Sequence, residues 1–368
     1  MVIDLSLMKQ AFIDPTVGIV RIEPGVRGYE LDLVVQAFKL VVPLGSCPAV
    51  GVAGYALGGG ESSLTPKFGN ACDNLLKVEL INADGELVMA SADQNSDLFW
   101  GLCGAGANFG IAVGLAFRLH PLEKVLSGHL KYSLQQAKML LKFVNDYAPT
   151  MPDELFLNLA VLPHADERLV DVGVVWPGEP AQGTRALHSL RTFLKPKEDT
   201  IGVRDYLDEQ RAGADAPGEG DYCSHRRAGH LEQLSESVIE TIIEHASDVP
   251  AKSCGITMIY WHGPWSAQPR DNAFGFRRRG YQYWIHSYWQ SEHDEQRAIE
   301  WVERFYAAMV RHSTGAVYVN DLKEEGAERV RAAYSDNWPR LQSLKRKFDP
   351  ENVFRVNQNI VPDHVTLA

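Results

Sequence analysis

Short segments in which apolar and polar residues alternate dominate the first third of the chain: VIDL, GIVRIEPG and KVELINADGELVMAS. Period-two alternation puts one face in a core and the other in solvent, so each segment predicts a strand. The last reads as a hairpin, with Asp84-Gly85 suited to a type I′ turn. SDLFWGL predicts a helix with Ser96 as N-cap. GAGANFG then reads as a glycine-rich loop feeding a strand in IAVGLAFRLHP that stops at Pro121. From about Leu122 the texture changes. LQQAKMLLKFVNDYA is an amphipathic helix, LFLNLAVLP and LVDVGVVWPG are strands, and RALHSLRTFL is helical. GADAPGEG, residues 213 to 220, is the clearest loop in the chain. A helix in EQLSESVIETIIEHA, strands in GITMIYWHG and YQYWIHSYW, and a long helix in DEQRAIEWVERFYAAMVRH follow. The tail AAYSDNWPRLQSLKRKFDPENVFRVNQNIVP predicts a helix and then an irregular stretch.

Runs of strand followed by helix, without regular βαβ alternation, point to an α+β architecture. At 368 residues the chain is long enough for two domains. A net charge of −11 argues against nucleic acid as a partner, because phosphate contact needs a basic surface. No apolar run reaches the length of a membrane span, and MVIDLSLMKQ lacks the basic-then-apolar pattern of a signal peptide. The expected location is therefore cytoplasmic, without membrane attachment. Five cysteines (Cys47, Cys72, Cys103, Cys223 and Cys254) are scattered without C-x-x-C or zinc-ligand spacing, which predicts reduced thiols packed as small core residues and no metal site.

GAGANFG misses the dinucleotide fingerprint G-x-G-x-x-G by one residue and precedes a strand where that fingerprint opens a helix. Walker A, H-E-x-x-H and G-x-S-x-G sequences are absent, which removes the main signals for kinases, zincins and α/β-hydrolases. What remains is GSCPAVGVAGYALGGG, residues 45 to 60. Glycines at this density let main chain approach something closely.

Three phrases occur in order: the glycine ladder with its embedded cysteine, NACDNLLKVELINADGELVMASADQNSDLFWGLCGAGANFG, and FDPENVFRVNQNI near the end. Together they resemble the berberine-bridge-enzyme-like branch of the vanillyl-alcohol-oxidase flavoproteins. The resemblance spans nearly the whole chain and is strongest over residues 1 to 121 and 316 to 362. It implies an α+β fold: a p-cresol-methylhydroxylase-type FAD-binding domain, truncated, over 1–121, and an antiparallel-sheet-and-helix substrate domain over 122–315. A C-terminal berberine-bridge-type segment, 316–368, would return to the first domain. It further implies an FAD-dependent oxidase that takes hydride from a C–H next to oxygen or nitrogen of a sugar- or alkaloid-like molecule, with dioxygen reoxidising the flavin.

The resemblance also assigns residues. In G-x-C-P-x-V-G-x-x-G the cysteine lies over the flavin ring, where its sulfur can bond the isoalloxazine; Cys47 holds that place, followed by Val50. Such attachment needs a thiolate, which surrounding N–H donors favour; a buried, unreactive thiol is the other reading of Cys47. Gly51, Gly54, Gly58, Gly59 and Gly60 would line the cofactor, or else make a tight turn. Asp73, Asn108, Gly110 and Ile111 match phrases beside the cofactor, although Asn108 also suits loop capping. Tyr318-Val319-Asn320 resembles a Y-x-N motif whose tyrosine faces flavin and substrate, making Tyr318 the catalytic candidate; as a residue it equally suits an edge strand. Asn320 and Asn357 would hold loops or the ring. Alternation in the two aromatic strands places Tyr260 with His262, and Tyr283 with Ile285 and Ser287, opposite Trp284, His286 and Tyr288. Tyr260, His262, Tyr283 and His286 are the substrate-contact candidates, and an ordinary packed sheet is the alternative.

Several positions depart from the family pattern. Chains of this family usually carry a preceding subdomain with a pyrophosphate loop and a flavin-bonding histidine, and VIDLSLMKQ resembles the segment just after it. Glu61-Ser62-Ser63 follows the glycine triplet where another glycine is common, Pro66 stands near a usual basic position, and Cys103 replaces a frequent arginine. Ala105 and Ala107 replace glycines, each adding a Cβ where positive φ is expected. The alternative expectation is accordingly a truncated, non-catalytic remnant that binds FAD weakly or not at all.

Overall fold

A computed structural model describes residues 2–164, 167–212, 223–249, 254–267, 270–356 and 358–362. The glycine-rich loop 213–220 and Asn357 lie outside the described residues. Two antiparallel sheets organise the rest. The first has five strands in the order Ala11–Asp14, Ile19–Ile22, Ile111–Arg118, Leu75–Ile81, Leu87–Ser91. Its inward residues Val20, Val78, Leu80 and Phe117 share a core with Leu31 and Val35 of helix Gly28–Gln36 and with Leu98 and Leu102 of helix Ser96–Ala105.

The second sheet has eight strands. Along its main path they run Glu198–Asp199, Lys124–Ser133, Glu167–Trp176, Phe156–His164, Cys254–Trp261, Gly280–Trp289, Cys223–Leu231, with Gly202–Asp205 also paired to Lys124–Ser133. Three helices cover one face. Leu140, Leu141 and Val144 of Ala137–Tyr147, Val238, Ile239 and Ile242 of Glu236–Ser247, and Trp301, Val302 and Phe305 of Glu292–Val310 enter one core with Leu159, Val172, Ile256, Met258 and Tyr283. Those i, i+1, i+4 spacings are one helical stripe each. The uncovered face meets the first core through Trp261 and Trp284.

Three sequence expectations change. VIDL is irregular, and the first strand is Ala11–Asp14; among the described residues 2–5 have no ladder partner, and a strand without one leaves its backbone unpaired. The hairpin closes with residue pair Ile81–Leu87, leaving a five-residue loop. Gly85 has φ 80°, but Asp84 is not left-handed, so the turn is not type I′. Asn82 explains the difference, since its Oδ1 accepts from the N–H groups of Asp84 and Glu86. Finally, Asn95 rather than Ser96 precedes the first turn of its helix, with φ 49°.

Tyr318, Tyr334, Leu341, Leu344 and Ile360 enter the core of the five-stranded sheet, and a buried lysine holds their segment there. Lys345, on helix Trp338–Phe348, is fully enclosed; its Nζ donates to Asp349 Oδ2 at 2.6 Å, Asn108 O at 2.8 Å and Phe354 O at 2.6 Å. All three ammonium donors are used, which makes burial of the charge tolerable. Asn108 completes the knot: its Oδ1 accepts from Ile360 N at 2.8 Å and its Nδ2 donates to Gln358 O at 3.2 Å. Replacing Lys345 by Met is expected to cost about 3–5 kcal/mol, because Asp349 is left buried without its counter-charge. Denaturant unfolding of the wild type and variant measures this; a loss under about 1 kcal/mol would show that the knot adds little.

Candidate functional site

The run from Gly45 to Gly60 folds into two unlike halves. In the first, Cys47 is exposed, Val50 is 40% exposed, and a Cβ added at Gly51 or Gly54 would meet nothing within 4 Å. Gly51 caps the short helix Val52–Leu57, and the segment is anchored behind by Gly28 N–H donating to Val50 O at 2.9 Å and Tyr29 N–H to Pro48 O at 3.1 Å. A free thiol and bare main chain therefore face open space, where a ligand can approach the backbone closely.

The second half is filled by protein. A Cβ at Gly58 would lie 1.9 Å from Asn320 Oδ1, at Gly59 2.5 Å from the Phe274 ring, and at Gly60 2.5 Å from Ala71 Cβ. Gly59 and Gly60 also have φ 129° and 78°. The bare side of these three glycines admits side chains from elsewhere in the chain. Tyr318 and Asn320 are the main ones. Gly60 N–H donates to the Tyr318 hydroxyl at 2.7 Å, Asn320 Nδ2 donates to the same oxygen at 2.7 Å, and Nδ2 also reaches Tyr55 O at 3.1 Å. Burial pushes the Tyr318 phenol well above its ordinary range, with the nearby acids adding to the effect. It is a neutral hydroxyl with two donors aimed at its oxygen and one proton to give.

Asp73, another of the expected cofactor-side residues, has a fully enclosed side chain. Its enclosed carboxylate takes the Arg277 guanidinium, Asn272 Nδ2 at 2.8 Å and its own Asn70 N–H at 2.9 Å. These bonds fasten residues 270–277 to the first domain. Asn108 serves the C-terminal knot, Gly110 lets main chain pass Ile81 O (an added Cβ would sit 2.6 Å away), and Ile111 opens a strand. The alanines at 105 and 107 are unstrained, since neither has positive φ. Cys72, Cys103 and Cys254 are buried, while Cys223 is exposed, contrary to its expected core role.

Of the substrate candidates, Tyr260 and Tyr283 point into the helix-covered core, and His262 stacks on Tyr260 with Nε2 against Leu155 O at 2.8 Å. The uncovered face carries Gln282, Trp284 and His286, with Arg226 opposite His286 on the neighbouring strand. His286 stands there alone among the four candidates. Burial and the Arg226 charge bring its imidazole down to about 4, so it is neutral at physiological pH.

Sequence reasoning missed the groups that join this face to the glycine run. Gln282 Nε2 donates to Asp321 Oδ2 at 2.8 Å, Arg226 Nη2 lies 3.6 Å from Asp321 Oδ1, and Tyr55 donates its hydroxyl proton to the carbonyl of Glu61. Glu61 and Asp321 are both 7% exposed. Their only sequence signal was position: one directly after the glycine triplet, the other directly after Tyr318-Val319-Asn320.

Comparison with known proteins places the chain among FAD-linked oxidoreductases. Residues 1–91 match the family model described as FAD binding domain, and residues 317–361 match the model described as Berberine and berberine like. (R)-6-hydroxynicotine oxidase of Paenarthrobacter nicotinovorans is 29% identical, covering 98% of this chain and 81% of its own length. Xylooligosaccharide oxidase of Thermothelomyces thermophilus is 26% identical over 99% of this chain and 78% of its own. The crystal structure of 6-hydroxy-D-nicotine oxidase from Arthrobacter nicotinovorans has a TM-score of 0.89 at 28% identity, covering 98% of this chain and 82% of that one. Matches of this extent lend no support to a non-catalytic remnant.

The two halves of the glycine run respond oppositely to a methyl group. Gly54→Ala, in a helix and facing open space, is expected to stabilise the cofactor-free chain by about 0.5–1 kcal/mol. Gly58→Ala displaces Asn320 and is expected to cost about 1–3 kcal/mol. Urea midpoints of both variants check this, and equal signs would contradict the division.

Proposed function

The chain belongs to the berberine-bridge-enzyme-like FAD-linked oxidoreductases, and on that premise we propose that it is an oxidase of a small molecule, acting at a C–H bond next to oxygen or nitrogen. Relatives named for hydroxynicotine and for xylooligosaccharides supply the two donor types. FAD, the cofactor of the family, supplies the hydride acceptor when bound, and dioxygen is the proposed terminal oxidant.

The observation that carries this reading is the exposed Cys47 at the head of a bare, open strip that ends under Tyr318. Cys47, Val50, Gly51 and Gly54 would hold the ring, with Cys47 tethering it through sulfur. Gly58, Gly59 and Gly60 act one step removed, by letting Tyr318, Asn320 and Phe274 close over the end of the strip. Tyr318 is the orienting residue. Its oxygen is committed to Gly60 N–H and Asn320 Nδ2, so its own proton is directed at the donor's heteroatom. A high, burial-raised phenol suits donation and not proton abstraction. Trp284 and His286 on the half-buried sheet face offer an apolar surface and a neutral imidazole for the rest of the substrate.

Purified protein is expected to be yellow, and the colour to stay with the pellet after acid precipitation. In Cys47→Ala the pigment should pass to the supernatant. A colourless wild type would overturn the oxidase assignment, and pigment released equally from both proteins would overturn the tether. Hydrogen peroxide formed in step with substrate loss would identify dioxygen as the acceptor.

A further inference from the structure

Two buried carboxyls flank Tyr318 from opposite sides of the domain junction. Glu61 follows Gly60, whose N–H binds the Tyr318 hydroxyl; Asp321 ends the 3-10 turn Val319–Asp321 that begins next to Tyr318. The Gln282 side chain stands between them. It donates to Asp321 Oδ2, accepts from the Trp261 indole N–H, and also lies against Glu61. The two acids are unequally served. Asp321 has Arg226 at 3.6 Å from Oδ1. Glu61 Oε1 is buried without a hydrogen-bond partner, and Arg277, whose charge reaches it, is bound through Nη2 to Asp73. An ionised carboxylate so placed is costly, and a protonated one is not.

We propose, on the oxidase reading above, that Asp321 takes the O–H or N–H proton of the substrate and that Glu61, kept protonated beside it, is a positioning residue that tunes it through Gln282. As the donor C–H leaves as hydride to FAD, the neighbouring O–H or N–H bond breaks and its proton moves to Asp321. The donor loses two electrons and two hydrogens, and the carboxyl pair goes from one proton to two. Reoxidation combines that hydride and that proton with dioxygen as hydrogen peroxide, returning the pair to one proton.

The electrostatics agree with this geometry. Burial, then the Asp321 charge, push the Glu61 carboxyl well above its ordinary range, against smaller opposing help from Gln282 and Arg277. Burial also raises Asp321, against Arg226, while Glu325 raises it further. Tyr55 and Tyr318, facing both acids, are themselves held neutral by burial, and Cys47 faces Tyr55. Two coupled carboxyls of this kind release their protons in separate steps that belong to the pair. A carboxyl raised in the folded state favours folding at acid pH, and that contribution is lost as pH rises through the folded value.

Infrared titration of the purified chain tests the held proton. Besides the contribution of Asp32, whose carboxyl burial raises to about 7, a second protonated-carboxyl carbonyl band is expected at neutral pH in the wild type and is expected to vanish in Glu61→Gln. Absence of the band, or its survival in Glu61→Gln, overturns the role of Glu61. For Asp321, stopped-flow flavin reduction should slow by about 10²-fold or more in Asp321→Asn at equal flavin content, with partial recovery in Asp321→Glu. In the wild type the same rate should fall in proportion to proton concentration below one apparent pKa lying above the ordinary carboxylate range. An unchanged Asp321→Asn rate or a flat wild-type profile overturns the proposal. A colourless chain overturns the oxidase reading and the Asp321 step with it, whereas the infrared result bears on the carboxyl pair alone.

Discussion

Main chain stripped of side chains, at Gly58 to Gly60, is what allows the far end of this molecule to close over its beginning. The Tyr318 hydroxyl meets Gly60 N–H across 258 positions of sequence. Nothing larger than glycine leaves room for Asn320 at position 58 or for the Phe274 ring at position 59. Behind that seam stand two buried ion pairs. Asp73 with Arg277 fixes the segment carrying Phe274, and Lys345 with Asp349 fixes the segment that follows Tyr318. Each is a poor source of net stability compared with apolar packing, yet each tolerates few alternative geometries. They define where the strap lies more than how strongly it is held.

The same seam explains how chemistry is divided. Along Cys47 to Gly54 the thiol is exposed and Gly51 and Gly54 face open space, which leaves room for a flat ring. Opposite it, the sheet face bearing Gln282, Trp284 and His286 is half-buried and carries neutral polar groups. Between the two stand the acids. Local dielectric is low there, so each carboxyl responds strongly to its neighbour.

Much of this was legible from the chain. Alternation and the helical stripes located most strands and the main helices, because each element buries one regular face. The glycine run, the Y-x-N segment and the C-terminal phrase stood out by family resemblance, and the structure brings the first two together at Gly60 and Tyr318. Other features were not legible. Alternation separates Tyr283 from Trp284 but does not say which of the two faces the helices will cover, and Tyr260 and Tyr283 fell on the covered one. Asp73 gave no sign of its bond to Arg277, because that partner lies 204 positions away. Glu61 stood out only as a departure from a common glycine and Asp321 not at all, since burial of a carboxyl is decided by what folds over it. Asn82 altered the hairpin through a side-chain bond that dipeptide statistics do not contain.

The strap's position in the chain has a consequence for biogenesis. Tyr318, Asn320 and Lys345 emerge from the ribosome after nearly all of the two sheets, so the floor of the cradle is translated long before its cover. During that interval Gly58 lacks the Asn320 side chain and the Gly60 N–H lacks the Tyr318 hydroxyl, while Phe274 and Ala71 are already present. A polypeptide arrested before Tyr318 would therefore display that stretch of main chain uncapped to the cell's proteases.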